Sequence, residues 1–94
     1  MSQYTDAYLQ ENHQRGIGKG ITPGTFLNSA LKGAAKRYAA KYRIALERDL
    51  NRRMAEGSVL PYASVHGATA YHLTATADAA REQLRGRLER GELS

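Results

Sequence analysis

Ninety-four residues are enough for one domain, because a chain of this size buries only about two-thirds of the surface its unfolded form exposes. The chain has no Cys, which excludes a disulfide scaffold and any cysteine-containing zinc site; it shows no signal-peptide pattern, and no apolar stretch approaches the roughly 20 residues needed to span a bilayer. The expectation is therefore a cytoplasmic protein without cofactor, and its net charge of +5 is confined to one stretch. Residues 1–31 and 57–94 each balance to zero, whereas 32–56 sets Lys32, Lys36, Arg37, Lys41, Arg43, Arg48, Arg52 and Arg53 against Glu47, Asp49 and Glu56. A local excess of this kind points to a polyanionic partner.

Residues 3–13 are expected to form a short helix whose spacing is set by Tyr4, Ala7, Tyr8 and Glu11. Arg15-Gly16-Ile17-Gly18-Lys19-Gly20 follows as a connector, since glycines at alternate positions do not hold a helix. It carries neither GxGxxG nor GxxxxGK[ST], so a phosphate-cradling loop is disfavoured. Thr22-Pro23-Gly24 is a helix-entry signal, after which Phe26, Leu27, Ala30, Leu31, Ala34, Ala35 and Tyr38 recur at three and four. Over 26–56 two readings stay open. One is a single helix running on through Tyr42, Leu46, Leu50 and Met54; the other is two helices parted near Lys41 to Ile44. Glu56-Gly57 ends the helical pattern. Val59 to Val65 and Thr69 to Thr74 then read as two strands around His66-Gly67, with Pro61 marking an edge strand or bulge. Thr76 and Asp78 open a last helix carrying a stripe of Ala77, Ala80, Leu84 and Leu88, closed by Gly91.

A helix that ends in glycine and leads into a hairpin resembles the recognition helix and wing of a winged-helix protein. The run Met54-Ala55-Glu56-Gly57-Ser58-Val59 and the hairpin Gly67-Ala68-Thr69-Ala70-Tyr71-His72-Leu73, with Ala30-Leu31-Lys32 and Tyr38 before them, are similar to the globular domain of linker histones. A small bacterial or phage winged-helix regulator fits the Ala/Arg/Gly-rich composition equally. The resemblance implies a mainly α chain with a β-hairpin (α+β), arranged as a winged helix-turn-helix with an additional C-terminal helix. The expected parts are a short helix and connector over 1–21, a winged-helix core over 22–75 and the last helix over 76–94. A linker-histone relative would be nuclear, a bacterial regulator nucleoid-associated.

The expected function is non-enzymatic binding of double-stranded DNA as a small regulator or architectural protein. The alternative is a protein-interaction module, such as an inhibitor of a host protein or nucleoprotein complex. On a helix over 41–56, Lys41, Ala45, Arg48 and Arg52 lie opposite Leu46, Leu50 and Met54, with Asn51 and Arg53 at the edges. Asn and Arg suit adenine and guanine edges in the major groove. The expected DNA contacts are Lys36, Arg37, Lys41, Arg43, Arg48, Asn51, Arg52 and Arg53, with His66 and His72 from the wing; Tyr62 is the best placed of the tyrosines to touch nucleic acid. Ala77, Ala80, Leu84 and Leu88 form a narrow seam, from which a homodimer is expected. His13, His66 and His72 make a poor zinc set without Cys or paired carboxylates, so no metal is expected. No nucleophile, base and orienting group converge, and no enzyme is expected.

Overall fold

The computed structural model describes residues 2–64 and 67–91. The chain is helical with one two-stranded antiparallel hairpin, in the order α1 (Ser2–Arg15), α2 (Pro23–Ala30), a 3-10 helix η1 (Gly33–Tyr38), α3 (Ala39–Ala55), β1 (Val59–Ala63), β2 (Thr69–Leu73) and α4 (Thr74–Glu89). This agrees with the expected α+β class. No helix among the described residues is long and apolar enough to cross a membrane.

Helix α1 turns inward Thr5, Tyr8, Leu9 and Asn12, spaced as one helical face. Half of that face is polar, and Ala7 is exposed, so the stripe read from apolar residues alone was displaced. Helix α2 begins as its sequence requires: Thr22 Oγ1 accepts from the Thr25 N–H at 3.2 Å, and Pro23 occupies the first turn.

Neither reading of 26–56 describes the break that forms. Leu31 and Lys32 are extended between α2 and η1, well before Lys41. Extension there drops Leu31 into the core, where it is 1 % exposed. Gly33, at φ 58, turns the chain back into helix with a left-handed residue that side chains avoid. Of the spacing that runs to Tyr38, Leu27 and Leu31 are buried, whereas Ala34 and Tyr38 beyond the break are exposed, Tyr38 to 57 %.

The core is Tyr8, Leu9, Leu27, Leu31, Leu46, Leu50 and Val59, with Tyr4, Phe26, Tyr42, Met54 and Tyr71 packed around it. Tyr8 meets Phe26 edge-on, as Tyr4 meets Tyr42, each at 5.5 Å between ring centroids. In the hairpin Val59 pairs with Leu73 and Pro61 with Tyr71. The Tyr71 N–H and C=O point away from β1, since the N–H donates to Tyr8 Oη at 3.1 Å and the C=O accepts from Asn12 Nδ2 at 2.9 Å. Pro61 therefore stands in a non-hydrogen-bonded pair, where its missing N–H costs nothing. The same two side chains hold the connector: Tyr8 Oη donates to the Ile21 C=O at 2.7 Å, and Asn12 Oδ1 accepts from the Ile21 N–H at 3.0 Å. Polar groups of α1 thus close the free edge of β2 in place of another strand.

Helix α4 starts at Thr74, without a capping side chain, two residues before the expected Thr76. It packs against the hairpin through Thr76 and Ala77 and then leaves the body. The radius of gyration, 15.0 Å, exceeds the roughly 12 Å of a compact chain of this length because of that projection.

Candidate nucleic-acid interface

The unbalanced positive charge lies on η1 and the first turns of α3. Lys32, Lys36, Arg37, Lys41, Arg43 and Arg48 are all exposed. Among the described residues none of these six enters an ion pair. The one carboxylate among them in sequence is Glu47, also exposed. Helix α3 buries Leu46, Asp49 and Leu50, so at about 100° per residue its opposite side presents an open half-cylinder. Along the middle of that half run Ala40, Ile44, Asn51 and Ala55, all exposed, Ile44 to 50 %. Lys41 and Arg48 stand on one flank; Glu47 stands on the other, with Arg43 beyond it toward α2, its stem against Gly24. Asn51 makes no side-chain hydrogen bond among the described residues. A shallow pocket of about 300 Å³, lined by Tyr38, Lys41, Tyr42 and Ala45, opens beside this face.

The C-terminal half of α3 has a different use for its arginines. Asp49 is only 8 % exposed. It accepts from Thr5 Oγ1 at 2.5 Å and pairs with Arg52 and, at 3.6 Å, with Arg53. Arg52 also reaches Glu56 at 3.3 Å, and Arg53 crosses to Asp6 on α1 at 2.8 Å. The Thr5 hydroxyl first, then the two guanidinium groups, hold the Asp49 carboxyl below the usual carboxylate range. Arg52 and Arg53, expected as DNA contacts, are thus engaged in a network that fastens α3 to α1. Glu56 and Asp6 lie far along the sequence from one another, so only the fold brings this network together.

The histidines also depart from expectation. His72, expected on a wing surface, is fully buried. Neither ring nitrogen has a hydrogen-bond partner, the ring meets Tyr62 edge-on at 5.9 Å, and burial lowers its pKa. Period-two alternation puts positions 70 and 72 on one face together, opposite the Tyr71 and Leu73 that pack against the core, and this second face is buried as well, with Gly20 of the connector against it. His66 lies outside the described residues. His13 Nδ1 is 2.7 Å from Thr76 Oγ1, fixing α1 to the start of α4. Among the described residues no three His, Cys, Asp or Glu side chains are grouped to hold a metal. The Tyr62 hydroxyl accepts from Arg81 at 3.0 Å. Of the seam residues, Ala77 is 1 % exposed and spent within the chain, whereas Leu84 and Leu88 are 50 % and 56 % exposed.

No family model, curated protein or solved structure matches this chain.

Proposed function

We propose that this protein binds double-stranded DNA through η1 and α3, in the manner of a winged-helix protein with the β1–β2 hairpin beside the helix as a wing. The observation that carries this reading is the set of six exposed cations, Lys32, Lys36, Arg37, Lys41, Arg43 and Arg48, free of ion pairs among the described residues and opposed in sequence by Glu47 alone. Unpaired cations side by side repel one another and cost stability when nothing neutralises them. A row of phosphates neutralises them and releases its own counterions. The exposed half of α3, about 10–12 Å across with its side chains, matches a major groove about 12 Å wide. Between Val59 and Leu73 the hairpin has no Lys or Arg, so in this reading α3 supplies the charge and the wing supplies shape. The half-exposed Leu84 and Leu88 on the projecting part of α4 support pairing with a second copy.

The test is a titration of labelled random duplex with the wild-type chain and with a Lys41→Ala, Arg48→Ala double variant. Both side chains are exposed and make no ion pair among the described residues, so the variant keeps its fold. Losing two phosphate contacts weakens binding by about ten- to a hundred-fold at low salt. Equal affinity of the two chains, or capture of an acidic protein but not DNA, contradicts the proposal.

A further inference from the structure

The middle of the exposed half of α3 is apolar and amide-bearing, with Lys41 and Arg48 along one flank and Glu47, then Arg43, along the other. Ala40, Ile44, Asn51 and Ala55 fall within an arc of roughly 60°, and all four are exposed. A single exposed apolar side chain is ordinary on a protein surface. Ile44 differs in its position, since 50 % of it is open to solvent with Arg48 and Lys41 about 40° and 60° round the axis to one side and Glu47 about 60° to the other. A β-branched residue adds nothing to an exposed helix position that Ala would not supply better. Asn51, on the same line, makes no side-chain hydrogen bond among the described residues.

We infer that α3 reads A·T base pairs, with Ile44 seated against a thymine methyl and Asn51 bonded to an adenine edge. The inference rests on the DNA-binding reading above and names what that same face recognises. In a major groove the phosphates form the two walls, one of which Lys41 and Arg48 meet. The floor offers a single kind of apolar group, the thymine methyl, and adenine offers the donor and acceptor pair that an Asn amide matches. Ile44 and Asn51 are two turns apart, about 10.5 Å along the axis. That distance corresponds to about three base-pair steps of 3.4 Å, so the two side chains address different pairs. Ala40 and Ala55 keep the line free of bulk at either end.

The experiment is fluorescence anisotropy with three duplexes of equal length: alternating A·T, the same sequence with uracil for thymine, and a mixed G·C sequence. Uracil keeps every hydrogen-bonding group and removes only the methyl. Wild-type protein binds the thymine duplex about four-fold more tightly than the uracil duplex for each methyl covered, the effect of burying one such group. Ile44→Ala, an exposed change to a better helix former, binds both alike. Asn51→Ala keeps the thymine-to-uracil ratio and loses preference for A·T over G·C. Equal affinity of the wild type for thymine and uracil duplexes overturns the inference while leaving DNA binding intact, as does tighter binding of the G·C duplex, which would make Arg48 a guanine reader. Failure to bind any of the three at low salt overturns the DNA-binding reading with it.

Discussion

Replacing His72 by Leu should stabilise the protein and remove a sensitivity to mild acid. The imidazole is fully buried and neither nitrogen has a partner among the described residues, so one N–H and one lone pair have given up water without a hydrogen bond in return. Such a group costs on the order of 1–3 kcal/mol. Leucine is similar in size and carries no polar atom, but the site is close-packed: a Cβ on Gly20 would lie 2.7 Å from His72 Nε2 and 2.9 Å from Ala70 Cβ. Imperfect fit takes back part of the gain, and about 1–2 kcal/mol remains at pH 7.5. For a chain of this length each kcal/mol moves Tm by about 4–8 °C. The pH dependence has a definite sign. Burial lowers the His72 pKa in the folded state, so below the ordinary value of about 6.5 the unfolded chain takes up a proton that the folded chain does not. The stability from a neutral His72 is complete above that value and is lost as pH falls toward the lowered one, at no more than about 1.4 kcal/mol per pH unit. Gly20 of the connector lies against the ring and Tyr62 meets it edge-on, and neither is charged at these pH values. Urea unfolding of both chains at pH 7.5 and 5.5 measures the difference. If wild type and His72→Leu lose the same stability over that interval, His72 does not titrate as the structure requires.

Tyr8→Phe removes the hydroxyl that joins Ile21 to Tyr71, leaving a strand-edge N–H unpaired; urea unfolding should show a loss of about 1–3 kcal/mol, with amide exchange fastest at Tyr71. The same burial pushes the Tyr8 pKa up to about 12, so its phenolate should be absent from ultraviolet titration below pH 11. Asp49→Asn should cost about 1–2 kcal/mol at pH 7 by weakening the bonds to Thr5 and Arg52; because the Asp49 pKa is lowered, that difference is full above an unfolded value of about 3.9 and disappears as pH falls through the folded one. Leu84→Glu should leave the melting temperature unchanged while turning any dimer seen by sedimentation into monomer, as expected of a half-exposed side chain that supports no core.

Much of the fold is legible in the sequence where one signal dominates. Gly57 ends α3, and the β-prone runs around Gly67 give strands that the structure trims to Val59–Ala63 and Thr69–Leu73. Local charge counting found the cationic stretch. What it did not find was that Arg52 and Arg53 belong to Asp49, because a buried carboxylate among arginines reads as solvated surface until Thr5 of α1 is brought beside it. The break at Leu31 was hidden for a related reason: extended and helical chain both carry that leucine to the core, and apolar spacing does not tell them apart. The inner face of α1 escaped because Thr5 and Asn12 do their work by hydrogen bonds rather than by apolar contact. Strand alternation with Tyr71 and Leu73 puts His72 on the side away from the core, as it is, but does not reveal that the connector at Gly20 buries that side too.

The central claim is that the exposed cations of η1 and α3 meet phosphates. Its most direct test is the affinity of the full chain for random duplex DNA over a series of salt concentrations. With four to six phosphates neutralised, log K should fall against log salt with a slope of about −4 to −5, and the slope should become shallower by about 2 in the Lys41→Ala, Arg48→Ala variant. An affinity that stays flat from low to moderate salt, or a slope that the two substitutions leave unchanged, would contradict the account.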